Sequence, residues 1–139
     1  MRHVVVDTNC LLRMIPIHGR YRQVWEAFLS EKYAICVSNE IIFEYMEILS
    51  QKVSATFAAN IVGAILKSNC VKLISPSFHF NLITQDPDDN KFVDCAIAGN
   101  ATYIVSNDSH FDVLKQTDFP KLIVKRIQEF SKILAQEVL

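Results

Sequence analysis

The sequence predicts an α/β protein in which a largely parallel sheet is covered by helices. Three observations carry this expectation. Short apolar, β-branched runs alternate along the chain with stretches whose apolar residues follow a 3.6-residue period. The connections between them are short, as strand–helix–strand crossovers allow. Half of the 139 residues are hydrophobic and only three are glycine, which suits one compact domain spanning residues 1–139 with a sizeable core.

The elements follow in order. Residues 2–7 read as a buried strand, with His3-Val4-Val5-Val6 running directly onto Asp7-Thr8-Asn9. Stretch 21–30 carries apolar residues at positions 21, 24, 25, 28 and 29, the spacing of one helix face. Residues 33–37 form a second strand. Ser38 is then the N-cap of a helix to about Lys52, and Ser54 the cap of a helix through about Lys67. A third strand over 71–74 is closed by Ser75-Pro76, and 76–86 is the least regular stretch. Asp86-Pro87-Asp88-Asp89 reads as a turn and helix start whose acids suit the helix dipole, opening a helix over 89–99. Strands over 101–106 and 121–125 follow, with a helix expected between them. A final helix over 126–135 has apolar residues at 127, 130, 133 and 134.

Composition excludes several classes of function. The net charge of −1 provides no strong global attraction for nucleic acid, so any such partner must be held by a local basic patch or by metal ions. No apolar run approaches the roughly 20 residues of a membrane span. The N-terminus lacks the basic, apolar and small-residue segments of a signal peptide in series. The four cysteines, Cys10, Cys36, Cys70 and Cys95, are widely spaced with no C-x-x-C pair. They read as reduced, buried thiols of a cytoplasmic protein.

The acids are more informative. Asp7 ends the first strand at the carboxyl edge of the sheet, where open α/β sheets keep their ligands; alone, it reads equally as a turn or cap aspartate. Glu44 lies at the margin of a helix face made by Ile41, Ile42, Tyr45, Ile48 and Leu49, so it is the acid of that helix expected to be half-buried. Asp94 sits just beyond Ile97 on the next candidate helix, with Asn90 one turn earlier; Asp89 competes with it, but Asp88 and Asp89 are well explained as helix-start residues. Asp108 ends the fourth strand with the same pattern as Asp7. Asp112, four residues on, reads as a further contributor or a surface acid. If strands one and four are neighbours, Asp7, Glu44, Asp94 and Asp108 converge. Four carboxylates in one cleft do not all stay ionised without a counter-charge. A hard divalent cation such as Mg²⁺ supplies one with oxygen ligands.

Taken together, Val-Val-Val-Asp7-Thr8-Asn9, the Ser38…Glu44 spacing, Asp86-Pro-Asp-Asp-Asn-Lys-Phe-Val-Asp94-Cys-Ala and Ile-Val-Ser-Asn-Asp108 resemble the PIN-domain family, in its toxin–antitoxin branch of VapC-like ribonuclease toxins. The resemblance runs from residue 2 to about Phe130. It implies a three-layer α/β/α sandwich around a central parallel sheet of four to five strands, in the order 3-2-1-4-5. It also implies Mg²⁺- or Mn²⁺-dependent ribonuclease chemistry, with Asp7, Glu44, Asp94 and Asp108 as the acidic positions. Asn9 and Ser38 match recurrent supporting polar positions. In many members a second acid follows the fourth-strand aspartate by two residues; here that position is His110, which puts a second metal in doubt.

The expected reaction is therefore hydrolysis of RNA phosphodiester bonds. Asp7, Asp94 and Asp108 are the expected metal ligands, with Glu44 orienting water and Asn9, Ser38, Asn90, His110 and Asp112 in support. Lys91, Arg13, Arg20 and Arg22 are candidates for contacting the RNA backbone, though each reads more readily as ordinary surface charge. The implied partners are RNA and a cognate antitoxin protein. Apolar surface on the helices near 39–52 and 54–67 would serve a homodimer or simply cover the sheet. Two other readings remain. One is a catalytically weak or inactive PIN-like module that binds RNA or protein, which His110 favours. The other is a phosphoryl-transfer enzyme using Asp7 as nucleophile, which the absence of a lysine before Lys115 at the fourth strand end disfavours.

Overall fold

A computed structural model describes residues 1–118 and 120–137. Five strands form one parallel sheet in the order β3-β2-β1-β4-β5. They are β1 (His3–Val6), β2 (Ala34–Val37), β3 (Val71–Leu73), β4 (Tyr103–Val105) and β5 (Val124–Lys125). Six helices connect and flank them: α1 (Thr8–Met14), α2 (Arg22–Leu29), α3 (Asn39–Lys52), α4 (Ala55–Lys67), α5 (Asn90–Ala98) and α6 (Ile127–Gln136). The strand order is the one the resemblance implies, and the order of elements along the chain follows the sequence reading apart from the differences given below.

The central strands explain the architecture. Val4, Val5 and Val6 are wholly buried, as are Ala34, Ile35, Cys36 and Val37. Successive strand residues point to opposite faces, so burial of every one requires helices on both faces of the sheet. Aromatic packing knits the helices to the strands. Tyr33 lies edge-on to Phe130 of α6 at 5.0 Å and 5.9 Å from Phe28 of α2. Its hydroxyl donates to the Val24 carbonyl at 2.9 Å, so the buried phenol is satisfied. Glycine-poor helices start where the sequence put them: Ser38 Oγ accepts from the Ile41 N–H at 3.3 Å and Ser54 Oγ from the Phe57 N–H at 3.0 Å.

Three details differ from the sequence reading. Helix α1 was not expected. It begins one residue after β1, and the Asp7 carbonyl already accepts from the Leu11 N–H at 3.0 Å. Its buried Cys10, Leu11 and Met14 have helical spacing, but the run is only two turns long. The segment between β4 and β5 is a 3₁₀ helix, Ser109–Gln116, rather than an α-helix. The helix expected from Asp89 is preceded by a 3₁₀ turn, Pro87–Asp89, and α5 proper starts at Asn90. Strands β3, β4 and β5 are shorter than predicted: the paired residues are 71–73, 103–105 and 124–125.

The four cysteines are buried and free. No helix among the described residues is long and apolar enough to cross a membrane. For the site, the decisive pairing is β1 with β4: Val6 lies beside Val105, and the ladder continues as the Asp7 N–H donates to the Val105 carbonyl at 3.0 Å. The carboxyl ends of strands one and four are neighbours.

Candidate metal centre at the carboxyl edge of the sheet

Asp7 is 5% exposed. Ser106, wholly buried at the end of β4, donates its hydroxyl to Asp7 Oδ2 at 2.8 Å and accepts the Asp108 N–H at 3.0 Å. One serine therefore ties both strand-end aspartates together. Burial raises the Asp7 pKa to about 6; the Ser106 hydrogen bond opposes the rise, and the charges of Asp89, Glu44 and Asp108 add to it. Those three acids are thus close enough to act on Asp7 electrostatically. The neighbouring Cys10 thiol is pushed up to about 12 by burial and by Asp7, which leaves it an inert packing group.

Glu44 projects from α3 with a side chain 18% exposed. Its Oε1 lies 2.6 Å from Lys91 Nζ, and its Oε2 accepts from the Thr8 hydroxyl. Lys91, on the first turn of α5, also meets Asp88 Oδ1 at 2.9 Å, and its side chain is only 9% exposed. Burial would lower the ammonium pKa, but the two carboxylates outweigh it and the net shift is upward. Lys91 is a fixed cation inside the cleft.

Asp108 caps the 3₁₀ helix through the His110 N–H, which donates to its Oδ1 at 2.9 Å. The His110 ring lies between two acids, with Nδ1 3.2 Å from Asp89 Oδ2 and 3.4 Å from Asp108 Oδ1. The Asp89 contact raises the imidazole pKa. Asp89 itself is raised, chiefly by burial. Asp86, Asp89 and His110 offer ligand atoms within 4.8 Å of one another. A pocket of about 270 Å³ opens beside His110, lined by Ile83, Thr84, Gln85, Ser109 and Asp112 among others. A larger one, about 630 Å³ between α2 and α6, is lined by none of these acids.

The remaining expected site residues are placed elsewhere. Asp94 is 4% exposed, but its oxygens face the 76–86 segment: Oδ1 accepts the Phe80 N–H at 3.1 Å and Oδ2 meets His79 Nδ1 at 3.0 Å. The expectation that Asp94 joins the cluster is therefore corrected in favour of Asp89. The reason is geometric. A helix feeding a parallel strand runs away from the carboxyl edge, so five residues of α5 carry Asp94 about 7.5 Å further from it than Asp89. Asn90 is buried and holds the same segment, its amide bridging the Ile83 N–H (2.9 Å) and carbonyl (2.8 Å). Ser38 is a helix cap. Asn9 is exposed. Asp112 turns towards Arg126 (3.5 Å) and Lys115 (3.6 Å). Arg22 pairs with Glu26 at 2.8 Å and also donates to the Ile15 carbonyl, Arg20 lies 5.6 Å over the Tyr21 ring, and Arg13 is exposed on the last turn of α1.

Sequence reasoning missed Asp89, Ser106, Thr8 and the inward direction of Lys91. Position relative to the sheet edge was the signal available for Asp89, Ser106 and Thr8, whereas the path of Lys91 depends on Glu44 from another helix. Asp7, Asp89 and Asp108 are hard carboxylate donors at one edge, and among the described residues the group whose ligand atoms already lie within 4.8 Å of one another is Asp86, Asp89 and His110. Asp7, Asp89 and Asp108 each keep one oxygen without a hydrogen-bond partner among the described residues. That chemistry fits a divalent cation taken through oxygen.

Comparison with known proteins places this arrangement. A search of curated proteins finds no match. Among solved structures, the fold is similar to VapBC2 from Rickettsia felis bound to a DNA fragment from their promoter. The TM-score is 0.61 at 20% identity, covering 89% of this chain and 98% of that one. It is also similar to VapC20 from Mycobacterium tuberculosis, a sarcin–ricin-loop-cleaving toxin. Here the TM-score is 0.57 at 15% identity, covering 78% of this chain and 92% of that one. At these identities the likeness is one of fold. The PIN-domain family model matches residues 3–110, which take in β1 to β4 and every acid of the cleft, and on that match the chain belongs to the PIN-domain family.

Proposed function

We propose that this protein is a divalent-metal-dependent endoribonuclease, acting as the toxin of a toxin–antitoxin pair. The observation that carries the reading is that Ser106 links Asp7 to Asp108 and His110 links Asp108 to Asp89 at the carboxyl edge of a PIN-domain sheet, with Glu44 within electrostatic reach of Asp7. Asp7, Asp89 and Asp108 would hold the ion, and Mg²⁺ or Mn²⁺ would supply Lewis-acid activation of water and charge neutralisation at the phosphate. Glu44, held by Thr8 and Lys91, would orient the attacking water. Ser106 fixes the Asp7 carboxylate and the backbone at Asp108, whose own carboxylate is held by the His110 N–H. Water attacks phosphorus, the bond to the leaving ribose oxygen breaks, and that oxygen takes up a proton. Without the ion the acid-lined cleft repels phosphate, so RNA binding and metal binding are coupled.

The toxin assignment rests on the fold shared with VapBC2 and VapC20 and implies a cognate antitoxin partner. A second reading, a PIN module that binds RNA without cutting it, is favoured by one observation: Lys91 and His110 already contact three of the acids.

The test is cleavage of mixed RNA with Mg²⁺ or Mn²⁺, with EDTA, and by Asp7→Asn. The nuclease reading expects cutting that EDTA and Asp7→Asn each abolish. Undiminished cutting by Asp7→Asn would overturn the mechanism. No cutting of any RNA by a protein that still binds RNA would select the second reading.

A further inference from the structure

The acids of the cleft are not equivalent in what they leave free. Asp7 Oδ2 is taken by Ser106, Asp89 Oδ2 by His110 and Asp108 Oδ1 by the His110 N–H; among the described residues, the other oxygen of each has no hydrogen-bond partner. Glu44 has both oxygens engaged, Oε1 by Lys91 at 2.6 Å and Oε2 by Thr8. The Lys91 side chain is 9% exposed, is anchored a second time on Asp88 at 2.9 Å, and lies 5.7 Å over the Phe92 ring. An ammonium so enclosed is a built part of the cleft rather than a surface charge that happens to swing inward.

We propose that Lys91 takes the place of a second divalent ion, so that the site takes a single ion on Asp7, Asp89 and Asp108 while Glu44 stays bound to the ammonium. This rests on the metal-dependent reading above. Ligation by Glu44 requires breaking a short charge-assisted hydrogen bond and stranding a buried cation, which disfavours it. Asp7, Asp89 and Asp108 each keep an oxygen free of such an engagement, and these three carboxylates would draw together on the ion. His110 acts in the same direction, because its ring lies between Asp89 and Asp108 where a second carboxylate would have widened the donor set. Lys91 is accordingly a positioning residue. It fixes the Glu44 carboxylate and supplies positive charge at that end of the cleft without a metal.

The experiment is titration of the whole chain with Mn²⁺, followed by calorimetry and by electron paramagnetic resonance. The wild type is expected to bind one Mn²⁺ and give the six-line spectrum of an isolated ion. Glu44→Gln is expected to leave that stoichiometry at one. Lys91→Gln releases Glu44 and is expected to bind two ions with the spectrum of a spin-coupled pair, whereas Lys91→Arg keeps one. Two ions in the wild type, or one in a folded Lys91→Gln, would overturn the role of Lys91 and leave the nuclease reading standing. No Mn²⁺ binding by the wild type would overturn both. If Lys91→Gln fails to fold, a wild-type count of two still overturns the proposal, and Lys91→Met takes the place of Lys91→Gln in the two-ion test.

Discussion

The Ser106 hydroxyl lies 2.8 Å from Asp7 Oδ2, joining residues at the ends of two neighbouring strands. Because Ser106 is wholly buried and its oxygen also receives the Asp108 N–H, no water replaces it without rearrangement. Ser106→Ala is expected to destabilise the protein by about 1–3 kcal/mol, the cost of leaving a buried acceptor and donor unmet. It also removes the contact that opposes the Asp7 rise, so the Asp7 titration moves above about 6. Carboxyl-detected NMR titration reads the shift directly. An unchanged Asp7 pKa would contradict the role given to Ser106.

Asp7 makes the metal-free protein less stable as pH rises. Its folded pKa, about 6, lies above its ordinary 3.8. Between those values the native state keeps a proton that the unfolded state has lost. Stability therefore falls through this window, and the loss is complete above about pH 6. The shift corresponds to about 3 kcal/mol. Asp7→Asn removes it, so in EDTA the variant is expected to melt higher than wild type at pH 7.5, and the difference should vanish towards pH 4. Calorimetric melts across that range test the sign.

Asp89 and Asp94 are separable. Asp89→Asn is expected to reduce RNA cleavage by 100-fold or more with little change in melting temperature. Asp94→Asn is expected to keep most of its activity and lose about 1–3 kcal/mol, because it breaks the contacts to His79 and the Phe80 N–H. Paired cleavage rates and denaturant midpoints distinguish them; the reverse pattern would restore Asp94 to the site.

Asn90 clamps the 76–86 segment through both sides of the Ile83 peptide. Asn90→Ala leaves a buried N–H and carbonyl unpaired and is expected to cost about 2 kcal/mol. Amide exchange should accelerate at Ile83 and Phe80 well before it does in β1, since the central strand opens only with global unfolding.

Much of the fold was legible because its signals are local. The valines of β1, the serine caps of α3 and α4 and the short connections each act within a few residues, and they lead to a parallel sheet without reference to the rest of the chain. Helix α1 was hidden because two turns carry too little periodicity beside the stronger strand signal. Asp7, Glu44 and Asp108 could be singled out from strand ends and helix faces. Asp94 was preferred to Asp89 because hydrophobic-face position was weighed and axial position was not: a helix-start acid looks like a dipole partner until the direction of its helix across the sheet is known. Lys91 carries no local mark of its inward path, which depends on Glu44 arriving from another helix.

The position of β1 has a consequence for synthesis. It is the middle strand of the sheet, yet it is the first to leave the ribosome, and its neighbour β4 follows about a hundred residues later. Until β4 arrives, Asp7 has neither Ser106 nor Asp108, and one edge of β1 is open. A nascent chain therefore lacks the assembled acidic edge, and any premature termination before Asp108 releases a product without it. The order of strands in the sheet delays the appearance of that edge until translation has passed Asp108.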